Sequence, residues 1–275
     1  MNETLIKLFK QCFFAFGLNV GKQTRSKDVL ALIRKLRPQN CGHDLIRIGG
    51  GRDGGYLIPN DLEGIEYCFS PGVNVVSRFE EQLADMQISS FLADYSVDSP
   101  PVIRPEFTFD KKFLGASNRG HFFTLARWKE KYLSGYTNDL ILQMDIEGYE
   151  YQVILNTPDE LLDQFRIIVN EFHYIEKLFD PYVYRIYSDC FEKLLQYFVV
   201  AHIHPNNYAG SVTRNGVEVP SVLEFTFLNK RRVGQMRPQT SFPHRLDEDN
   251  YSDGDRLALL TCPRKTLPVE AGVLS

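Results

Sequence analysis

The sequence predicts a Rossmann-like α/β fold: a mostly parallel sheet with helices on both faces and an antiparallel strand near its C-terminal end. Three observations carry this expectation. Short apolar runs alternate with amphipathic stretches from residue 65 onward, the order that builds a parallel sheet from strand–helix–strand units. Several apolar runs end on Ser-Pro-Gly or on an acidic residue, at the carboxyl ends where open sheets of this kind bind ligands. The last two runs are joined by a Gly/Asn loop and no helix, which suits an antiparallel pair.

Residues 1–43 read as a helical N-terminal extension, with Val29, Leu32, Ile33 and Leu36 at helical spacing before Pro38 stops the run. The glycine-dense segment from Arg47 to Tyr56 is expected to be a loop or hairpin that exposes backbone. Ile65–Phe69 reads as a buried strand running into Ser70-Pro71-Gly72. Ser77 and Glu80 have the spacing of a capping box, and Phe79, Leu83 and Met86 then fall on one helix face. Ser89–Ala93 is a second strand closing on Asp94, and Phe107–Phe109 a third. Thr124–Leu133 is a helix with Leu125, Trp128 and Tyr132 on one side, and Leu140–Met144 a buried strand ending on Asp145.

A helix over Tyr149–Leu155 follows, and a second begins at Thr157-Pro158-Asp159-Glu160, which combines a cap, a first-turn proline and a capping glutamate. Arg166–Asn170 is the next strand, leading to Glu171-Phe172-His173. Tyr184–Phe198 is a long amphipathic helix, with Val199–His204 and Ser221–Asn229 as the last strands. The main domain is therefore expected over residues 44–232. The polar, proline-containing tail 233–275 is expected to pack on that domain or to be partly mobile.

The apolar and charged fractions, 43% and 24%, are those of an ordinary soluble protein, and a net charge of −4 offers no general attraction for nucleic acid. The five cysteines are scattered without CxxC spacing and read as reduced thiols, which points to a cytoplasmic location. The apolar stretch Cys12–Leu18 is far shorter than the ~20 residues a span needs. It leaves room for weak membrane-surface association only.

Two groups of residues suggest chemistry. Ser70, Gly72 and Asn74 precede a helix that carries Glu80, so a ligand could meet glycine backbone and a helix N-terminus. Asp94 lies 22 residues after Gly72, the spacing of an acidic residue that accepts hydrogen bonds from a ribose diol. Together they point to a nucleoside cofactor, and the absence of a full GxGxxG counts against a dinucleotide. The second group is Asp145-Ile146-Glu147-Gly148, Glu171-Phe172-His173 and His202-Ile203-His204. Residues two apart on a strand share a face, so these ends could hold Mg²⁺ or Mn²⁺ through Asp145, Glu147 and His204. His173, assisted by Asp145 and Glu171, would then take a proton. The plainer reading makes Asp145 a helix cap and puts Glu150 on a solvated helix side. The same cluster would also suit a metal-dependent, phosphoesterase-like hydrolase, which leaves Gly72 and Asp94 without a role.

The residues also carry a family resemblance. Leu142-Gln-Met-Asp-Ile-Glu-Gly-Tyr-Glu150 resembles the K-x-D-x-E-G-x-E signature of the FkbM family of S-adenosylmethionine-dependent methyltransferases. Phe69–Glu80 is similar to the cofactor loop of a branch of that family, and Asp53-Gly-Gly-Tyr56 resembles a segment that often precedes it. The resemblance spans about residues 45–230. It departs at Gln143, where lysine is usual, and at Pro71, where a small residue is common. It implies a class I methyltransferase fold, S-adenosylmethionine as methyl donor, and O-methylation of a sugar, nucleotide-sugar or glycan-like hydroxyl.

Overall fold

The alternation of apolar runs closes on one seven-stranded sheet in the computed structural model, which describes residues 3–17, 20–73 and 75–251. Its strands are β1 (Tyr67–Pro71), β2 (Ser89–Ala93), β3 (Phe107–Asp110), β4 (Leu140–Met144), β5 (Phe165–His173), β6 (Phe198–Pro205) and β7 (Val222–Asn229). Across the sheet they stand in the order β6-β7-β5-β4-β1-β2-β3. The five strands from β5 to β3 run parallel, and β7 is antiparallel to both of its neighbours. The helices are α1 (Glu3–Ala15), α2 (Ser26–Lys35), α3 (Arg78–Asp85), α4 (Leu125–Leu133), α5 (Glu150–Asn156), α6 (Asp159–Gln164) and α7 (Pro181–Tyr197).

Strands β4 and β5 are buried along their whole length, as parallel strands covered on both faces must be. Alternate residues of β5 serve different faces. Ile168 and Phe172 join the larger core, with Trp128 of α4, Tyr151 of α5, Phe191 and Leu194 of α7, and Val29 and Leu32 of α2. Ile167 and Val169 join a smaller core with Phe79 and Leu83 of α3. A hairpin of Leu45–Ile48 and Tyr56–Pro59 contributes Ile48, Tyr56 and Ile58 to it. Thr124 caps α4 by accepting from the Arg127 amide. Asp180 caps α7 by accepting from Tyr182 and Val183, with Pro181 in the first turn.

Several boundaries depart from the sequence expectation for identifiable reasons. β1 begins at Tyr67 and runs on to Pro71, while Ile65 packs in the smaller core. β5 continues three residues past Asn170, because its pairing with β7 (Glu171 opposite Glu224, His173 opposite Val222) outlasts its pairing with β4. That extension brings Glu171 and His173 into the sheet itself. The expected capping box at α3 does not form: the Ser77 hydroxyl donates to Glu81, and Glu80 turns inward to Ser70. Thr157 does not cap α6, because its hydroxyl donates back to the Val153 carbonyl.

The segment after β7 lies along the domain as far as residue 251. Arg237–Pro238 pairs with Gln39–Asn40, Asn250 donates to Glu224, and Asn207 exchanges two hydrogen bonds with Tyr251. Residues 252–275, with Cys262, fall outside the described residues. α1 exposes Leu5, Leu8, Phe9 and Phe14, and the turn after it Phe16; Leu18, at the end of the expected apolar stretch, and Asn19 also fall outside the description. Among the described residues no helix is long and apolar enough to cross a membrane. Cys12, Cys41, Cys68 and Cys190 are free thiols.

Phe172 is fully buried and meets the rings of Tyr151, Phe191 and Phe225 from the side opposite Glu171 and His173. Phe172→Ala is expected to cost roughly 3–5 kcal/mol, read as a lower urea midpoint at unchanged slope. A loss below about 1 kcal/mol would contradict the packing described.

Candidate active site

The site is built where β1, β4 and β5 end side by side. Gly72 follows β1 with φ +93°, and a Cβ there would stand 1.6 Å from the Asp145 carbonyl oxygen. Only glycine lets the two strand ends approach so closely. β4 then turns into α5 through Glu147 (φ 56°) and Gly148 (φ 103°), both in the left-handed region. The turn is fastened by Glu150, whose Oε1 accepts from the amides of Ile146 (3.1 Å) and Gly148 (3.0 Å). Glu150 is completely buried, not on a solvated face.

The same Glu150 oxygen lies 3.1 Å from His173 Nδ1. An ionised carboxylate can only accept, so Nδ1 donates and the ring is fixed in orientation. His173 Nε2 then faces Glu147 Oε2 at 3.4 Å, Asp145 Oδ1 at 3.8 Å and Glu171 Oε1 at 3.9 Å. Burial works against the His173 imidazolium, but the Glu150 hydrogen bond and the surrounding carboxylates outweigh it and raise its pKa to about 9. Burial likewise pushes the Asp145 carboxyl up to about 7, against the pull of His173. Glu171 is pushed well above the usual carboxylate range by burial and by Asp145. Its Oε1 accepts from Asn206 at 3.0 Å.

A cavity of about 560 Å³ opens beside this cluster, within the roughly 300–1,000 Å³ of small-molecule sites. Gly72, Glu80, Asp94, Asp145 and Glu147 all line it, with Phe113, Leu114, Phe122 and Tyr149 as an apolar end. Asp94 is held by the amide and hydroxyl of Ser96, each 2.7 Å from Oδ1. Ser70 lies behind the wall, bonded to Glu80 and, at 2.7 Å, to Gln143, which in turn reaches the Tyr56 hydroxyl. Gln143 thus bridges β1 and the hairpin. Burial raises the Glu80 carboxyl to about 7, against the Ser70 hydrogen bond. Asn74 falls outside the described residues.

Of the residues singled out from the sequence, Asp145, Glu147, Glu171 and His173 come together. His204 stands elsewhere. The sheet register sets Glu171 opposite Glu224 and Glu224 opposite His204, so a whole strand intervenes. His204 instead has Asp247 3.7 Å from Nδ1, and His202 Nε2 meets the same Asp247 at 2.9 Å. Asp247 belongs to the C-terminal segment, which therefore covers the two histidines. Three participants escaped the sequence reading: Glu150, Asn206 and Tyr56. Glu150 and Tyr56 each left a signal, as the last positions of the Asp-Ile-Glu-Gly-Tyr-Glu and Asp-Gly-Gly-Tyr runs.

Gly72→Ala should push the β1 and β4 ends apart and place a side chain in left-handed backbone, at a combined cost of roughly 3–5 kcal/mol. A lowered melting temperature together with a reshaped cavity beside Gly72 is the expected result. An alanine variant as stable as the parent would refute the close approach.

No family model matches the chain, and no curated protein matches it significantly in sequence. Among solved structures it is similar to a prophage-encoded protein assigned to DNA-modification methyltransferases (E. coli), at 10% identity and TM-score 0.38, over 60% of this chain and 47% of that one. It is similar to fibrillarin in its complex with Nop5p at 10% identity and TM-score 0.36, over 61% of this chain and 74% of that one. A third similarity is to the 16S rRNA (adenine(1408)-N(1))-methyltransferase of Catenulisporales acidiphilia, at 10% identity and TM-score 0.29, over 71% and 99% of the two chains. The chain thus spans about half the length of the first of these. What assigns the fold is the sheet itself: strand order 3-2-1-4-5-7-6 with only the seventh strand reversed is the Rossmann-like class I methyltransferase fold.

Proposed function

We propose that this protein is an S-adenosylmethionine-dependent O-methyltransferase of the FkbM type, acting on a hydroxyl of a sugar, nucleotide-sugar or glycan-like substrate. One observation supports this above the others: Asp145 and Glu147 line the cofactor-sized cavity and also face His173. Donor site and proton-accepting groups thus share a wall, as transfer to a hydroxyl requires.

The cavity fits the cofactor's parts. Asp94, buried at the end of β2, suits a ribose diol; the wall of Phe113, Leu114, Phe122 and Tyr149 suits a purine. S-adenosylmethionine, when bound, supplies an electrophilic methyl group on a sulfonium. The chain's own contribution is to place the acceptor and remove its proton. Asp145, its carboxyl pushed up to about 7 by burial, is the group placed to take that proton, with His173 Nε2 3.8 Å from its Oδ1. Glu171 and Glu150 hold the pair in place. The carboxylates Asp53, Glu80, Asp94, Asp145 and Glu147 around the cavity outnumber its one arginine, Arg78, which disfavours a polyanionic acceptor such as nucleic acid. A hydrolase built on the same cluster would leave the cavity and Asp94 without use.

Calorimetric titration with S-adenosylhomocysteine tests this reading. Micromolar binding is expected, weakened roughly 10–100-fold in Asp94→Ala, the range for losing hydrogen bonds to a charged acceptor. Once an acceptor is found, His173→Ala should abolish turnover while leaving that binding intact. Absence of any binding by the folded protein would remove the methyltransferase assignment.

A further inference from the structure

We infer that the cluster at the ends of β4 and β5 is a divalent-cation site, with one oxygen each of Asp145 and Glu171 and His173 Nε2 as ligands. The ligand atoms of these three residues lie within 4.8 Å of one another. They differ from the set suggested by sequence spacing: Glu171 and His173 take the place of His204, and Glu147 stands at the solvent rim.

Three features of the geometry converge on a cation. First, Glu171 is only 4% exposed, yet its Oε2 has no hydrogen-bond partner, and neither has the buried Asp145 Oδ1. Carboxylate oxygens out of reach of water are rarely left so. Second, His173 Nε2 faces Asp145 and Glu171 at 3.8 and 3.9 Å, beyond hydrogen-bond length. Two ligands at right angles on Mg²⁺ stand about 3 Å apart, given bonds of about 2.1 Å. The three ligand atoms lie within 4.8 Å of one another, so an ion would draw them together by less than about 2 Å. Third, four carboxylates surround the two nitrogens of one imidazole. The ring offers at most two N–H donors, so it cannot satisfy all of them.

The support around the cluster is that of a metal centre. Glu150 holds Nδ1, which turns Nε2 toward the ion, and Asn206 holds Glu171 Oε1, the oxygen 3.9 Å from Nε2. Carboxylates behind a ligating histidine are a common outer shell of metal sites. Two carboxylate oxygens and one imidazole nitrogen, with no thiolate, favour Mg²⁺ or Mn²⁺ over softer ions. Three protein ligands leave open positions on an octahedral ion, and Asp145 places them at the cofactor cavity. The acceptor class that fits is one offering two neighbouring oxygens, a vicinal diol or hydroxy-acid unit of a sugar. That last step rests on the methyltransferase reading; the cation site does not.

Mn²⁺ binding to the full chain, followed by electron paramagnetic resonance and calorimetry beside S-adenosylhomocysteine titrations, tests the site. One Mn²⁺ per chain is expected, with a Kd of about 100 µM or tighter. Glu171→Gln and His173→Gln should each weaken it at least tenfold, and His204→Gln should leave it unchanged. Unaltered circular dichroism and S-adenosylhomocysteine binding would certify that the variants are folded. If the parent binds S-adenosylhomocysteine but no Mn²⁺ up to about 1 mM, or binds Mn²⁺ equally well in Glu171→Gln, the cation site is refuted. Mn²⁺ binding without S-adenosylhomocysteine binding would uphold the site and sink the methyltransferase reading.

Discussion

The arrangement of the site depends on one buried carboxylate. Glu150 sits at the first turn of α5 with no exposure, accepting from two amides of the preceding turn and from His173. Removing a carboxylate from water is costly unless its charge is answered by hydrogen bonds. Here the answering groups are the parts of the molecule that must be held still. The turn amides fix where Asp145 and Glu147 point. The imidazole fixes how β5 ends, a strand already tied down by the Tyr151 hydroxyl, which donates to the His173 carbonyl at 3.0 Å. One charged group thus couples the end of β4, the start of α5 and the end of β5.

The opposite wall obeys a steric constraint. Gly72 lets the end of β1 touch the Asp145 carbonyl, so the cavity floor and the carboxylate cluster are adjacent by construction. Glu80, Gln143 and Tyr56 extend this contact through Ser70. A helix residue, two strands and the hairpin are thereby locked around the cavity. The expected capping box fails for the same reason. The side chain of Glu80 is committed to the buried serine, and the helix start is left to Ser77 and Glu81.

This concentration of buried acids has an electrostatic consequence. Asp145, Glu171 and Glu224 all have raised carboxyl pKa values, with burial the largest cause in each. Each has a partner that only partly compensates: His173 for Asp145, Asn206 for Glu171, Asn250 for Glu224. Groups held in such a state are poised to exchange protons or to receive a cation. Asn250 shows that the segment after β7 takes part, covering Glu224 while Asp247 covers His202 and His204. His204 therefore stands on the far side of β7, facing Asp247 and away from the chemistry.

Local patterns along the chain specify the layers. Strand and helix periodicity, the reversal implied by the last loop, Gly72 at a strand end and Asp94 at its expected distance were all legible. Each is a local pattern, set by backbone geometry over a few residues. The Asp145–Glu147 and Glu171–His173 pairs were legible for the same reason, because side chains two apart on an extended chain share a side. Which pairs meet depends on the assembled sheet. His204 looked equivalent to His173, but sheet order inserts Glu224 between it and Glu171, and strand order is set by long-range packing that no local spacing records. Glu150 looked like a surface residue, because its burial arises only when β5 runs on to His173 and closes over the start of α5. Proximity between strand ends is a property of the folded sheet, so the ligand set, unlike the fold, could not be read along the chain.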